Sequence, residues 1–137
     1  MWNCSDHKLI TTLGRVLRDD GSGEYENVGH AHWVLCLTAH DGKLYSGSFD
    51  STIKVWNLST NKLITTLRGH TANVSYLTID DGKRYSRSWD MTIKIWNCSD
   101  RKLIATLKGH TPYVKEFLFL NGKLYSKDNV DIKIWKL

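Results

Sequence analysis

The 137-residue chain is 41% hydrophobic, 24% charged and 11% aromatic, with a single proline, a length and composition that suit one ordinary globular domain. Its formal charge of +5 is spread along the chain without a block of like charges, which argues against a nucleic-acid-binding tail and speaks mainly to solubility. No apolar run approaches the roughly 18 residues a bilayer span requires, and the opening MWNCSDHKLITTL lacks the charged-then-apolar layout of a secretory signal, so a membrane association is not expected.

In chain order, residues 8–13 read KLITTL and follow Trp2, a short apolar stretch that reappears later as the last strand of a repeat. Residues 14–27, GRVLRDDGSGEYEN, are rich in glycine, serine and acidic groups and predict a surface loop. From there the chain is periodic. Gly29-His30, Gly69-His70 and Gly109-His110 stand 40 residues apart. Each pair leads into an apolar strand: WVLCL at 33–37, VSYLTI at 74–79 and VKEFLFL at 114–120. Asp41-Gly42, Asp81-Gly82 and Asn121-Gly122 follow as tight hairpin turns, because both central residues of such a turn take positive φ and these types tolerate it best. The second strands are KLYSGS at 43–48, KRYSRS at 83–88 and KLYS at 123–126. The third strands, TIKVW at 52–56, TIKIW at 92–96 and DIKIW at 131–135, alternate apolar and lysine residues, the pattern of a strand with one buried and one wet face. Fourth strands follow as KLITTL at 62–67 and KLIATL at 102–107.

A period of about forty residues marks a chain of stacked four-stranded blades, none able to bury its apolar faces alone. The expected layout is a closing strand at 1–13, the inserted loop at 14–27, blades at 29–67 and 69–107, and a partial blade at 109–137 whose missing outer strand stands at the N-terminus. Pairing of that strand with the last blade would close a ring and cover the open sheet edges. Closed propellers have about four to eight blades, so three are too few. Either two or three copies close one ring through a heterologous head-to-tail contact, or the chain is part of a longer propeller.

The repeated string of Gly-His, strand, turn, Ser-x-Ser-x-Asp and Thr-Ile-Lys-x-Trp stands here as GHAHWV…YSGSFDSTIKVW and GHTANV…YSRSWDMTIKIW. It resembles the WD-repeat (WD40) β-propeller family over nearly the whole chain outside the insertion. The resemblance implies an all-β toroid of WD-type blades and, in each blade, a structural tetrad. In the first blade the matching residues are His30, Ser46, Asp50 and Trp56, and in the second His70, Ser86, Asp90 and Trp96. The third supplies His110, Ser126 and Trp135, but its SKDNVDIKIW segment is one residue shorter. Asn129 then falls where the aspartate belongs, with Asp128 able to substitute. The usual Trp-Asp ending is Trp-Asn at Trp56-Asn57 and Trp96-Asn97.

Chemistry is not expected. Six histidines, including His30 and His32, have no cysteine or carboxylate cluster at ligand spacing, and a structural zinc needs four converging ligands. Each blade holds Ser, His and Asp, but the serine lies within a strand without a nucleophile elbow. No glycine-rich phosphate loop precedes a helix, and nothing calls for a cofactor. Cys4, Cys36 and Cys98 are odd in number and without a CxxC pair, which fits a reduced, cytoplasmic or nuclear setting.

The resemblance implies that partners meet the top face, formed by residues just after Gly-His and just before the turn aspartate. These are Trp33, Asn73 and Tyr113 in one set and Phe49 and Trp89 in the other, with Arg87 beside them. Aromatic and arginine side chains are the composition of interface hot spots. Arg87 takes the place of the small Gly47, so its side chain is expected to leave the blade for the surface. The expected function is a non-catalytic scaffold for protein or peptide partners. One rival is a self-assembling or engineered repeat fragment with no ligand, which the similarity of the blades fits. The other is a nucleic-acid-associated propeller with a basic surface and salt-sensitive binding.

Overall fold

In the computed structural model, residues 11–18, 20–110 and 114–137 are described, and all are strand, turn or irregular segment. The proposed closing strand lies largely outside them. No helix of the described residues is long and apolar enough to cross a membrane.

Three antiparallel sheets follow the repeat. The first runs β3 (Val34–His40), β4 (Lys43–Ser48), β5 (Ile53–Asn57) and β6 (Lys62–Leu67) in spatial order. The second runs β7 (Val74–Asp80), β8 (Lys83–Ser88), β9 (Thr92–Asn97) and β10 (Leu103–Lys108), and the third β11 (Glu116–Leu120), β12 (Lys123–Lys127) and β13 (Ile132–Lys136). The hairpin turns have the predicted backbone: φ is 49° and 68° at Asp41-Gly42, 47° and 68° at Asp81-Gly82, and 50° and 70° at Asn121-Gly122. These positive values match the right-handed twist of the flanking strands. The registers are equivalent too, with Tyr45 opposite Val55, Tyr85 opposite Ile95 and Tyr125 opposite Ile134.

The segment expected to be a loop contains a small hairpin instead. β1 (Arg15–Leu17) and β2 (Tyr25–Asn27) pair antiparallel. The turn between them is built from local bonds, Ser22 N–H to Asp20 Oδ1 at 2.9 Å and Glu24 N–H to Ser22 Oγ at 3.1 Å. Its base is clamped where Val28 N–H donates to Gly14 O at 2.8 Å. Composition at 14–27 signalled the turn but not the two short strands around it.

The core lies between sheets. Tyr45, Ile53 and Val55 of the first sheet form one buried cluster with Val74, Leu77 and Trp96 of the second. Tyr85, Ile93 and Ile95 of the second form another with Leu124 of the third. Burying each such side chain stabilises by about 1.5–3 kcal/mol, so the junctions hold the arc together. A Cβ on Gly47 would stand 2.6 Å from Cys36 Sγ and 2.8 Å from Val74 Cγ1, which explains the glycine there. Burial pushes the Cys36 thiol up to about 11, keeping it protonated as a weak donor to Val74 O at 3.6 Å.

The same period reveals two unfinished faces. Val74 and Leu77 are buried, whereas Val34 and Leu37, at the matching positions of the first sheet, are exposed. Ile53 and Val55 are buried, whereas Ile132 and Ile134, at the matching positions of the third, are 71% and 61% exposed.

Candidate partner-binding site

The rim that carries the candidate contacts is held by a side-chain network that is complete in the first two blades. In the first, His30 Nδ1 lies 2.9 Å from Asp50 Oδ2 and Nε2 lies 2.7 Å from Ser46 Oγ, while Trp56 Nε1–H donates to the same oxygen at 2.9 Å. The second repeats this with distances of 2.7 Å from His70 to Asp90, 2.7 Å from His70 to Ser86 and 2.9 Å from Trp96 to Ser86. One proton assignment serves each chain: Nδ1–H donates to the carboxylate, Nε2 accepts the serine O–H, and the serine oxygen accepts the indole N–H. The aspartate also closes its own turn. Asp50 accepts from Ala31 N–H at 3.0 Å, Thr52 N–H at 2.9 Å and the Thr52 hydroxyl at 2.6 Å. Serine, histidine and aspartate thus serve to fix two turns against a strand, with the serine oxygen buried and already engaged.

The third blade differs. His110 Nε2 still bonds Ser126 Oγ, and Trp135 Nε1–H donates to Ser126 at 2.8 Å. Asn129 is exposed, and the buried Asp128 is the carboxylate on the histidine side, with 3.9 Å from Oδ2 to Nδ1. Among the described residues His110 Nδ1 has no hydrogen-bond partner. The shortened turn draws Asp128 Oδ1 onto the amides of Val130 and Asp131, at 2.9 and 2.7 Å.

Burial opposes ionisation of Asp50, but hydrogen bonds from Thr52 and His30 outweigh it and hold the carboxyl at about 2. For His70, burial outweighs the pull of Asp90 and lowers the imidazole below its usual 6.5. His110 is likewise lowered, by burial first and then by Lys133, against Asp128. A histidine lowered on folding contributes stability that is full above its unfolded value and is lost as pH falls through the folded value. A depressed carboxylate behaves the same way at lower pH. Acid titration followed by tryptophan fluorescence should therefore show destabilisation beginning below about pH 6.5 and continuing to about pH 2. A flat profile between about pH 6.5 and 4 would show that the histidines are not held neutral.

On this frame the candidate contacts divide. Trp33 is 70% exposed and Phe49 43%, their backbones tied by Phe49 N–H to Trp33 O at 2.8 Å. Their rings are edge-on, with centroids 5.9 Å apart, and the exposed His32 joins them at 4.6 Å from Phe49 and 5.2 Å from Trp33. Trp89 is 52% exposed and tied to Asn73 O through its own N–H at 3.1 Å. Asn73 departs from expectation. It is buried, because the junction that leaves Trp33 open in the first sheet is filled in the second. Arg87 departs too. It stays half-buried, its Nε–H donating to Ser75 Oγ at 3.1 Å and its guanidinium 5.3 Å from the Tyr76 ring centroid. The register sets Tyr76 opposite Arg87, so a cation–π contact keeps the side chain on its own blade. Tyr113 lies outside the described residues. From the sequence, His32 stands out only as a candidate metal ligand. Its place between Gly-His and Trp33 is the signal that could have added it to the rim.

Known proteins share these features. A family model described as "WD domain, G-beta repeat" matches residues 23–57 and 61–97, more than half of the chain. The chain is 48% identical over 46 residues to human "Kinesin-like protein KIF21B", covering 34% of this chain and 3% of that protein. It is 41% identical over 61 residues to "Small ribosomal subunit protein RACK1y" of Oryza sativa subsp. japonica, covering 42% and 17%. It thus spans a small fraction of these relatives' length. Among solved structures it resembles the computationally designed Ika4 protein, with a TM-score of 0.70 and 28% identity over 79% of this chain and 68% of that one. The designed Ika8 protein matches with a TM-score of 0.71 and 28% identity over 85% and 37%. With repeats matched over more than half its length and their network formed in three dimensions, the chain belongs to the WD-repeat family of β-propeller proteins, which serve generally as protein-interaction scaffolds.

Proposed function

We propose that the chain is a non-catalytic scaffold that completes a propeller with further copies of itself and presents an aromatic rim to protein or peptide partners. The observation that carries the reading is the exposed Trp33, Phe49 and His32 group. Its rings are held on turns that His30 and Asp50 fasten to the strand beneath, so little conformational freedom is lost on binding. Trp89 extends the rim on the next blade. The unpaired thiols of Cys36 and Cys98 favour a reduced intracellular setting. Assembly through like copies is favoured by the exposed faces of the first and third sheets, which repeat the two sides of the junctions already buried.

The test is comparative affinity capture. Trp33→Ala combined with Phe49→Ala should lose partners that wild type holds, since anchors of this kind are worth 2 kcal/mol or more, roughly thirtyfold in affinity. Leu58→Ala, an exposed residue just after β5, should keep them. Identical catches from all three would count against the rim.

A further inference from the structure

The exposed face of the third sheet carries a groove whose counterpart on the first sheet is filled. Leu118, Tyr125 and Ile132 line it with the Glu116–Lys127 ion pair, around a volume of about 220 Å³. The ladders set Lys127 opposite Ile132 as they set Gly47 opposite Ile53. Tyr125, Lys127 and Ile132 therefore stand where Tyr45, Gly47 and Ile53 stand on the first sheet. There the ground is covered by Val74. A Cβ on Gly47 would lie 2.8 Å from Val74 Cγ1, and Tyr45 and Ile53 share the buried cluster of Val74.

Gly47 and Ile53 also bracket the turn 48–52, which places that turn at the start of β7, beside the buried Asn73. Lys127 and Ile132 bracket 128–131 in the same way. On the first sheet the residues matching Asn73 and Val74 are Trp33 and Val34, both exposed. An indole is larger than an amide side chain, and interior packing leaves no slack for it. The third blade supplies the difference. Its serine and the tryptophan bonded to it are 9 residues apart, against 10 in the first two blades, so the turn that would face Trp33 is one residue shorter. That turn also offers an apolar contact, Val130, which is 89% exposed. The enclosed position favours such a contact, since Asn73 Oδ1 is buried there without a hydrogen-bond partner among the described residues. The rest of the rim stays outside a filled junction, because Trp89 and Phe49 are both exposed although the first junction is closed.

We propose that the groove on the third sheet takes Val34 of another copy and that the turn above it covers that copy's Trp33. Assembly then withdraws Trp33 from the rim and leaves Phe49 and Trp89 on it, so a partner anchored on Trp33 and a docked copy exclude each other. This rests on the reading of the chain as one that completes a propeller with its own copies.

Two charge variants test it in the full chain, Val34→Glu and Ile132→Glu, each at an exposed position where the fold tolerates a carboxylate. Wild type should assemble, and each variant alone should stay at the 15.8 kDa of one chain. Mixed in equal amounts they should pair at twice that mass, because each supplies the wall the other lacks. Acrylamide quenching of that pair, compared with one in which the Ile132→Glu copy also carries Trp33→Phe, isolates the covered Trp33. Its quenching should fall several-fold on pairing, from the 70% exposure of Trp33 toward the 7% of Asn73. A pair in which Trp33 is quenched as in the single variants would overturn the covering of Trp33 and leave assembly standing. Wild-type assembly with no pairing of the mixed variants would show that copies meet elsewhere, which also overturns the proposal alone. Wild type that stays at 15.8 kDa would remove the assembly reading itself and this inference with it.

Discussion

Trp96→Ala should lower the unfolding free energy by about 3–5 kcal/mol, the range for truncating a buried tryptophan. Trp96 is 4% exposed and belongs to the cluster that joins the first two sheets. Its Nε1–H also donates to Ser86 Oγ at 2.9 Å, and its ring lies edge-on to His70 with centroids 6.5 Å apart. Truncation removes packing from the junction and unties the network on which the rim is built. Trp135 occupies the same place on the last strand but is only half-buried, so Trp135→Ala should cost clearly less. Urea unfolding at a fixed protein concentration measures both. Equal losses would mean that the first junction is not where the stabilising burial lies.

The second large effect concerns the carboxylates. Asp90→Ala should cost about 3 kcal/mol, because it strands the buried His70 Nδ1–H and removes the acceptor for Thr71 N–H, Thr92 N–H and the Thr92 hydroxyl. Bonds to a charged group are worth about 1.5–3 kcal/mol each in net terms. Much of the Asp90→Ala cost is shared with the turn, so a double-mutant cycle is needed to isolate the histidine contact. The coupling between His70 and Asp90, 2.7 Å apart, should be about 1.5 kcal/mol or more. That between His110 and Asp128, 3.9 Å apart, should be well under about 1 kcal/mol. Matching couplings would show that the shortened turn of the third blade costs nothing.

The blades were legible in the sequence because a fixed period places Gly-His, Asp-Gly and the third-strand tryptophan at repeated offsets, and each has a local physical role. The turn aspartates and serines were legible for the same reason. What the sequence did not resolve depends on which neighbour fills a junction. Trp33 and Asn73 occupy one repeat position, yet one is open and the other buried, since among the described residues the second sheet has a blade on that side and the first does not. The fate of Arg87 was set by Tyr76 across the strand pair, a register effect invisible in a string where glycine or lysine stands at the equivalent positions. Nothing in the string KRYS distinguishes Arg84 from the lysine beside it. Its full burial rests on its face of the sheet and on the adjacent blade, whose Tyr45 ring it meets. The short hairpin of β1 and β2 lacked the length that makes a strand pattern readable.

The proposed assembly follows from the same comparison of equivalent positions. Ile53 and Val55 contribute to a closed junction while Ile132 and Ile134 face solvent, and Val74 and Leu77 are covered while Val34 and Leu37 are not. Such exposed apolar surface marks an interaction face, and a head-to-tail contact between copies pairs the two kinds of face. The most direct measurement is solution mass by light scattering on the folded chain. Ring closure through like copies predicts about two or three times the 15.8 kDa of one chain, whereas a folded, monodisperse species of 15.8 kDa would contradict it.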